Sequence, residues 1–98
     1  MSSHKNARAR YHLRISGIVQ GVFFRKHAQD VAMQRGLVGW VKNCRDGDVE
    51  VIIEGARDHC DSFIEWARSG SPHAEVVHVD TRDLPVHDGE FSDFAIVI

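Results

Sequence analysis

Cysteine is scarce in this chain. Cys44 and Cys60 are its two thiols, too few for a disulfide framework and not at the C-x-x-C spacing of redox and metal motifs. Free thiols in a reducing compartment are the plain reading. No apolar run approaches the roughly 20 residues needed to span a bilayer. Met1 to Arg10 holds no apolar stretch of the kind a secretory signal requires, so no membrane partner and a cytoplasmic location are expected. The seven histidines, His4, His12, His27, His59, His73, His78 and His87, are scattered. No two stand at the H-x-x-x-H spacing that sets a pair of ligands on one helical face, so no metal site is expected. Internal repeats, low-complexity tracts and interdomain linkers are absent as well.

What remains is a compact allotment. The 98 residues suit one domain, which at this size removes roughly 60–68% of its unfolded surface from water. The apolar and charged fractions, 43% and 27%, are those of an ordinary globular protein. Of the 12 lysines and arginines, Lys5, Arg8 and Arg10 lie in the first ten residues, so acids outnumber bases 14 to 9 beyond them. That balance argues against a nucleic-acid partner, whose phosphates call for a basic face. Residues 1–9 read as a basic, solvated, disordered tail, and residues 10–98 as the domain.

Strand and helix periods alternate along that domain. Tyr11, Leu13 and Ile15 alternate with His12, Arg14 and Ser16, a half-buried strand. A glycine-punctuated segment, Gly17-Ile18-Val19-Gln20-Gly21-Val22-Phe23, comes next. Phe24, Ala28, Val31, Ala32 and Arg35 then fall at helical spacing, and Gly36 suits the left-handed residue past a helix end. Leu37 to Asn43 reads as a second strand, joined through Cys44-Arg45-Asp46-Gly47 to a third carrying Val49, Val51 and Ile53, a hairpin. Gly55 is read as the break of that strand and Asp58 as the cap of a second helix. The inner face of that helix is Cys60, Phe63, Ile64 and Ala67, and Gly70 and Pro72 end it. Val77 and Val79 mark a fourth strand, and Phe94, Ile96 and Ile98 a short last one.

The order is β-α-β-β-α-β with an extra C-terminal strand. Two helices covering one face of an antiparallel sheet in this order give an α+β, ferredoxin-like sandwich. A right-handed crossover leaves the first two strands parallel with the third between them. Both then end at one edge of the sheet, roughly 10 Å apart at two strand spacings. The glycine segment and Asn43 are expected to share that rim.

A glycine loop feeding a helix is a natural anion cradle, since the helix N-terminus offers unpaired donors and positive dipole. Gly17 and Gly21 permit the backbone turns this needs. Arg25, in the first helical turn, stands against the dipole, and its forked guanidinium suits two phosphate oxygens. On residues alone this is either a phosphate site or a glycine turn beside a solvated arginine, and Asn43 is either functional or an ordinary turn former. His27 is within reach of a ligand or merely an exposed helical histidine. Trp40 either lines the pocket or packs, while Phe63 and Trp66 read as core or its margin.

Two motifs separate these readings. Gly17 through Arg25 resembles the acylphosphatase signature G-x-V-Q-G-V-x-F-R at every fixed position. Gly39, Trp40, Val41, Lys42, Asn43, Gly47, Val49 and Gly55 are similar to the family's second signature, and Gly70-Ser71-Pro72 adds to the likeness, which covers Tyr11 to Ile98. The resemblance implies a ferredoxin-like fold and cofactor-free hydrolysis of small acyl phosphates, with inorganic phosphate as product and inhibitor. It implies that the loop Val19, Gln20, Gly21, Val22, Phe23 and Phe24, with Arg25, binds the phosphoryl group. Asn43 then positions the attacking water. A monomer is expected. Cys44 departs from the threonine many members carry beside the asparagine. Two rivals stand beside this: a non-catalytic phosphate-binding module, and an RNA-binding protein on the same fold. The second needs exposed aromatics and a basic sheet face, where this chain offers His12, Arg14 and Ser16 with Glu50 and Glu54 nearby.

Overall fold

The computed structural model describes residues 7–98. Its elements are β1 (Arg8–Ile18), α1 (Phe24–Gln34), β2 (Val38–Asn43), β3 (Val49–Ala56), α2 (Arg57–Ala67), β4 (Glu75–Leu84) and β5 (Phe94–Val97). The five strands form one sheet in the order β4-β1-β3-β2-β5. β3 lies antiparallel between β1 and β2, so those two run parallel as the sequence implies. The ferredoxin-like α+β plan therefore holds. The added strand changes one detail, since β5 pairs with β2 in parallel and makes the sheet mixed rather than wholly antiparallel.

Alternation along the strands builds the core. Leu13, Val51 and Val41 occupy one row across β1, β3 and β2, and all three are fully buried on the helix-covered face. Phe24, Ala28 and Ala32 of α1 and Cys60, Phe63 and Ala67 of α2 close over that row. Trp66 packs at the core margin with its ring 5.2 Å from that of Phe24 and 5.5 Å from that of Phe63. Burial pushes the Cys60 thiol up to about 12, so this cysteine is a core residue without reactivity.

Three local expectations change. β1 begins at Arg8, and Ala9 is buried, so the tail read over 1–9 loses its last two residues to the sheet; residues 1–6 lie outside the described residues. Gly55 does not break β3 but pairs with Ala9 inside it. A Cβ there would come within 2.6 Å of Leu37, so the glycine serves close packing. Asp58 is not the cap of α2. Ala56 holds that position without a side-chain hydrogen bond, and Asp58 lies in the first turn, where its charge favours the helix dipole. Val77 and Val79 do mark a strand, β4, whose register with β1 shifts at Ser16/Gly17, and Val77 is 81% exposed.

Candidate active site

Sheet register brings the two motif segments together. Ile15, Val49 and Asn43 form one row across β1, β3 and β2, so Asn43 stands two strand spacings, roughly 10 Å, from β1. Ile15 and Val49 are buried beneath the helices, and Asn43 shares their face. β1 continues past Ile15 into the loop, which starts with a bulge at Gly17. The φ of +127° and the Glu75 carbonyl, 2.1 Å from where a Cβ would sit, leave room there for no side chain.

The loop then turns through two left-handed residues, Gly21 (φ 75°) and Phe23 (φ 59°). Phe23 is the N-cap of α1 and supplies no side-chain cap, and the first turn holds no acidic residue. Among the described residues, neither a cap side chain nor a first-turn carboxylate therefore offsets the leading N–H groups of α1 and the positive end of its dipole. Arg25 projects from that turn. Among the described residues its guanidinium makes no salt bridge.

A cavity of about 290 Å³ opens at this rim. Of the loop residues expected to bind phosphate, Val19, Gly21, Phe23 and Phe24 line it, together with Arg25 and Asn43. Gln20 and Val22 do not line it and serve the loop differently. The Gln20 amide donates at 2.8 Å to both the Cys44 and Asp48 carbonyls, tying the loop to the turn that follows Asn43. The buried Ser71 hydroxyl donates to the Val22 carbonyl at 2.8 Å, fastening the loop from the α2–β4 side. His27 and Trp40 stay outside the cavity lining. Trp40 carries the Lys42 ammonium 5.5 Å from its ring centre instead. Lys26 and Ile96 line the cavity without having been foreseen. Only the adjacency of Lys26 to Arg25 hinted at the first, and nothing before the structure gave β5 its place beside β2.

The turn below Asn43 is firmly held. Cys44 N–H donates to the Asp48 carbonyl at 2.8 Å, and the Arg14 guanidinium spans Asp46 and Asp48 at 2.6 and 3.0 Å. The Asp48 N–H, helped by Arg14, holds the Asp46 carboxyl below its usual range. Burial pushes the Cys44 thiol up, against the pull of Arg14, so it is mostly unionised near neutrality. The Asn43 side-chain oxygen is buried and has no hydrogen-bond partner among the described residues, a state that invites an explanation by function. No group of three or more histidine, cysteine or carboxylate side chains capable of holding a metal occurs among the described residues.

Fold and rim together define a ferredoxin-like α+β protein whose cavity offers an anion a helix N-terminus, an arginine and an asparagine. The sequence profile of the acylphosphatase family matches residues 11–96. The acylphosphatase of Pyrobaculum arsenaticum is 50% identical over 90 residues, which are 91% of this chain and 94% of that one. The structure of an acylphosphatase from Coxiella burnetii superposes with a TM-score of 0.88 at 38% identity, covering 99% of this chain and 100% of that one. An acylphosphatase from Bacillus subtilis gives 0.87 at 38% identity over 92% of this chain and 99% of its own. The chain belongs to the acylphosphatase family.

Proposed function

We propose that the chain hydrolyses small acyl phosphates at this rim, with the 19–24 loop amides and Arg25 holding the phosphoryl group and Asn43 orienting the attacking water. One observation supports the assignment above others: among the described residues, an arginine without a carboxylate partner and an asparagine with an unpaired oxygen line one cavity at an uncapped helix N-terminus. Phosphoryl transfer is chiefly positioning and charge stabilisation. Loop N–H groups and the guanidinium follow the equatorial oxygens into the transition state, while Asn43 converts solvent into an aligned nucleophile. The water oxygen bonds to phosphorus, the bond from phosphorus to the carboxyl oxygen breaks, and its electron pair leaves on a carboxylate. The water's proton passes to phosphate or solvent. Since the conjugate acid of that leaving group has a pKa of about 4, no general acid is required, and none of the histidines is assigned a role.

The same reading makes the reaction independent of metal, makes inorganic phosphate a competitive inhibitor and has the chain act as a monomer in the cytoplasm. Hydrolysis of benzoyl phosphate by the purified chain in excess EDTA, with a phosphomonoester as control, tests it. Undiminished turnover of the anhydride alone is expected, with phosphate competing. Loss on chelation restored by a divalent ion would overturn the metal-free site, and phosphate binding without turnover would make this a binding module.

A further inference from the structure

Besides Arg25, Lys26 and Asn43, the side chains lining the cavity are apolar: Val19, Phe23, Phe24 and Ile96. Phe23 is 75% exposed and yet lines the cavity. Its backbone is left-handed, an outlier for a bulky side chain, so neither burial nor backbone ease explains a phenylalanine here. Such residues concentrate where a ligand is gripped.

Ile96 forms a second apolar surface. It pairs in parallel register with the buried Val41, which sets it on the helix-covered face that also carries Asn43. Its strand is fixed to α1 by the Gln29 amide, which donates to the Phe94 carbonyl at 3.0 Å. At 36% exposure Ile96 is open to the cavity. Val19 and Phe24 lie deeper, both almost fully buried. Among the described residues no carboxylate lines the space, and the Lys26 ammonium is already paired with Asp30 at 3.1 Å.

We propose that Phe23 and Ile96 are the walls of an acyl subsite that selects apolar, planar acyl groups. Aromatic acyl phosphates are its substrates, in preference to acetyl-sized ones and to those bearing a second carboxylate. This rests on the phosphoryl group lying against Arg25 and the loop amides, which leaves the acyl group to extend between these two side chains. A pocket of apolar walls around a few convergent polar groups has this division of labour, with the polar groups fixing orientation and the walls setting size and polarity.

The test measures kcat/KM for benzoyl, acetyl and succinyl phosphate with the wild type, Ile96→Ala and Phe23→Gly. Comparing the benzoyl-to-acetyl ratio of a variant with that of the wild type cancels the intrinsic reactivities of the two anhydrides. Each substitution is expected to lower that ratio about 10-fold, within the range that a few apolar carbons command in a pocket. Glycine keeps the left-handed backbone at position 23, and Ile96 lies outside the loop, so Ile96→Ala decides the matter should Phe23→Gly disturb the cradle. Inhibition by inorganic phosphate is expected to change less than about 2-fold in Ile96→Ala, because phosphate has no acyl part. An unchanged ratio in Ile96→Ala, or a wild-type preference for succinyl phosphate, overturns the subsite. If Arg25→Lys leaves turnover of all three substrates untouched, the phosphoryl site falls and the subsite with it. If Arg25→Lys is impaired while the Ile96→Ala ratio stays put, only the subsite falls.

Discussion

Arg25 gains its significance from where it stands. A cation in the first turn of a helix opposes the local dipole, and among the described residues no carboxylate offsets it. An anion arriving from outside relieves that conflict. Lysine keeps the charge but loses the planar fork, so Arg25→Lys is expected to lower kcat/KM on benzoyl phosphate at least 100-fold, about 2.7 kcal/mol. Thermal unfolding should be little changed, since lysine is also a good helix former. Near-normal turnover would mean that the amides suffice. Residue types and spacing left Arg25 and Asn43 open, and the resemblance to the acylphosphatase motifs singled them out; neither marked Phe23 as the left-handed N-cap. No local pattern marks a phenylalanine for positive φ; the surrounding loop imposes it.

Among the elements, the loop and the 44–48 turn behave as a unit joined by Gln20. The sequence placed Gln20 in the phosphate loop but could not show that its amide spans the gap to the turn, because the bond joins segments more than twenty residues apart. Removing it in Gln20→Ala is expected to cost about 1–2 kcal/mol in urea unfolding, the scale of two hydrogen bonds to partly buried carbonyls. The drift of Asn43 relative to the loop is expected to reduce kcat/KM roughly 10-fold; a variant matching the wild type on both counts would remove Gln20 from the account. Acid should loosen the same hairpin. Asp46 and Glu50 both have lowered carboxyl pKa values, Asp46 through the Asp48 N–H and Glu50 through His12, which lies 2.6 Å away. A carboxyl lowered in the folded state stabilises above its unfolded pKa and loses that contribution as pH falls through the folded value. Stability to urea is therefore expected to decline below about pH 4. Glu50→Gln should start lower and decline less steeply; an unaltered slope would assign the acid loss elsewhere.

Across the whole molecule, the sheet separates stability from chemistry. Arg10 and Glu54 pair on the face away from the helices, their side chains 9% and 1% exposed, and the guanidinium also meets Glu90 at 2.9 Å and lies over the Phe91 ring. Read as alternation, these charges belonged on a solvated face. They are buried because the connection from β4 to β5 crosses over them, and local sequence carries no sign of that crossing. The same limit hid the parallel pairing of β5 and hence Ile96, whereas the βαββαβ order and the shared rim followed from short-range periodicity. Glu54→Gln leaves the buried Arg10 charge poorly compensated and is expected to cost about 3 kcal/mol, a Tm drop of roughly 12–24 °C. At a temperature where the variant stays folded, kcat should be unchanged, because β3 carries Glu54 near the end opposite Val49 and the site row. In the proposed division of labour, β1 with its loop binds while β2 supplies the group acting on water. Asn43→Ala, first checked for folding, tests this when kcat on benzoyl phosphate and Kd for inorganic phosphate are measured beside the wild type. A fall in kcat of roughly 100-fold or more with Kd nearly constant is expected, the signature of an interaction realised on the way to the transition state. A folded Asn43→Ala protein with undiminished kcat would contradict the account and return Asn43 to the role of a strand-end turn former.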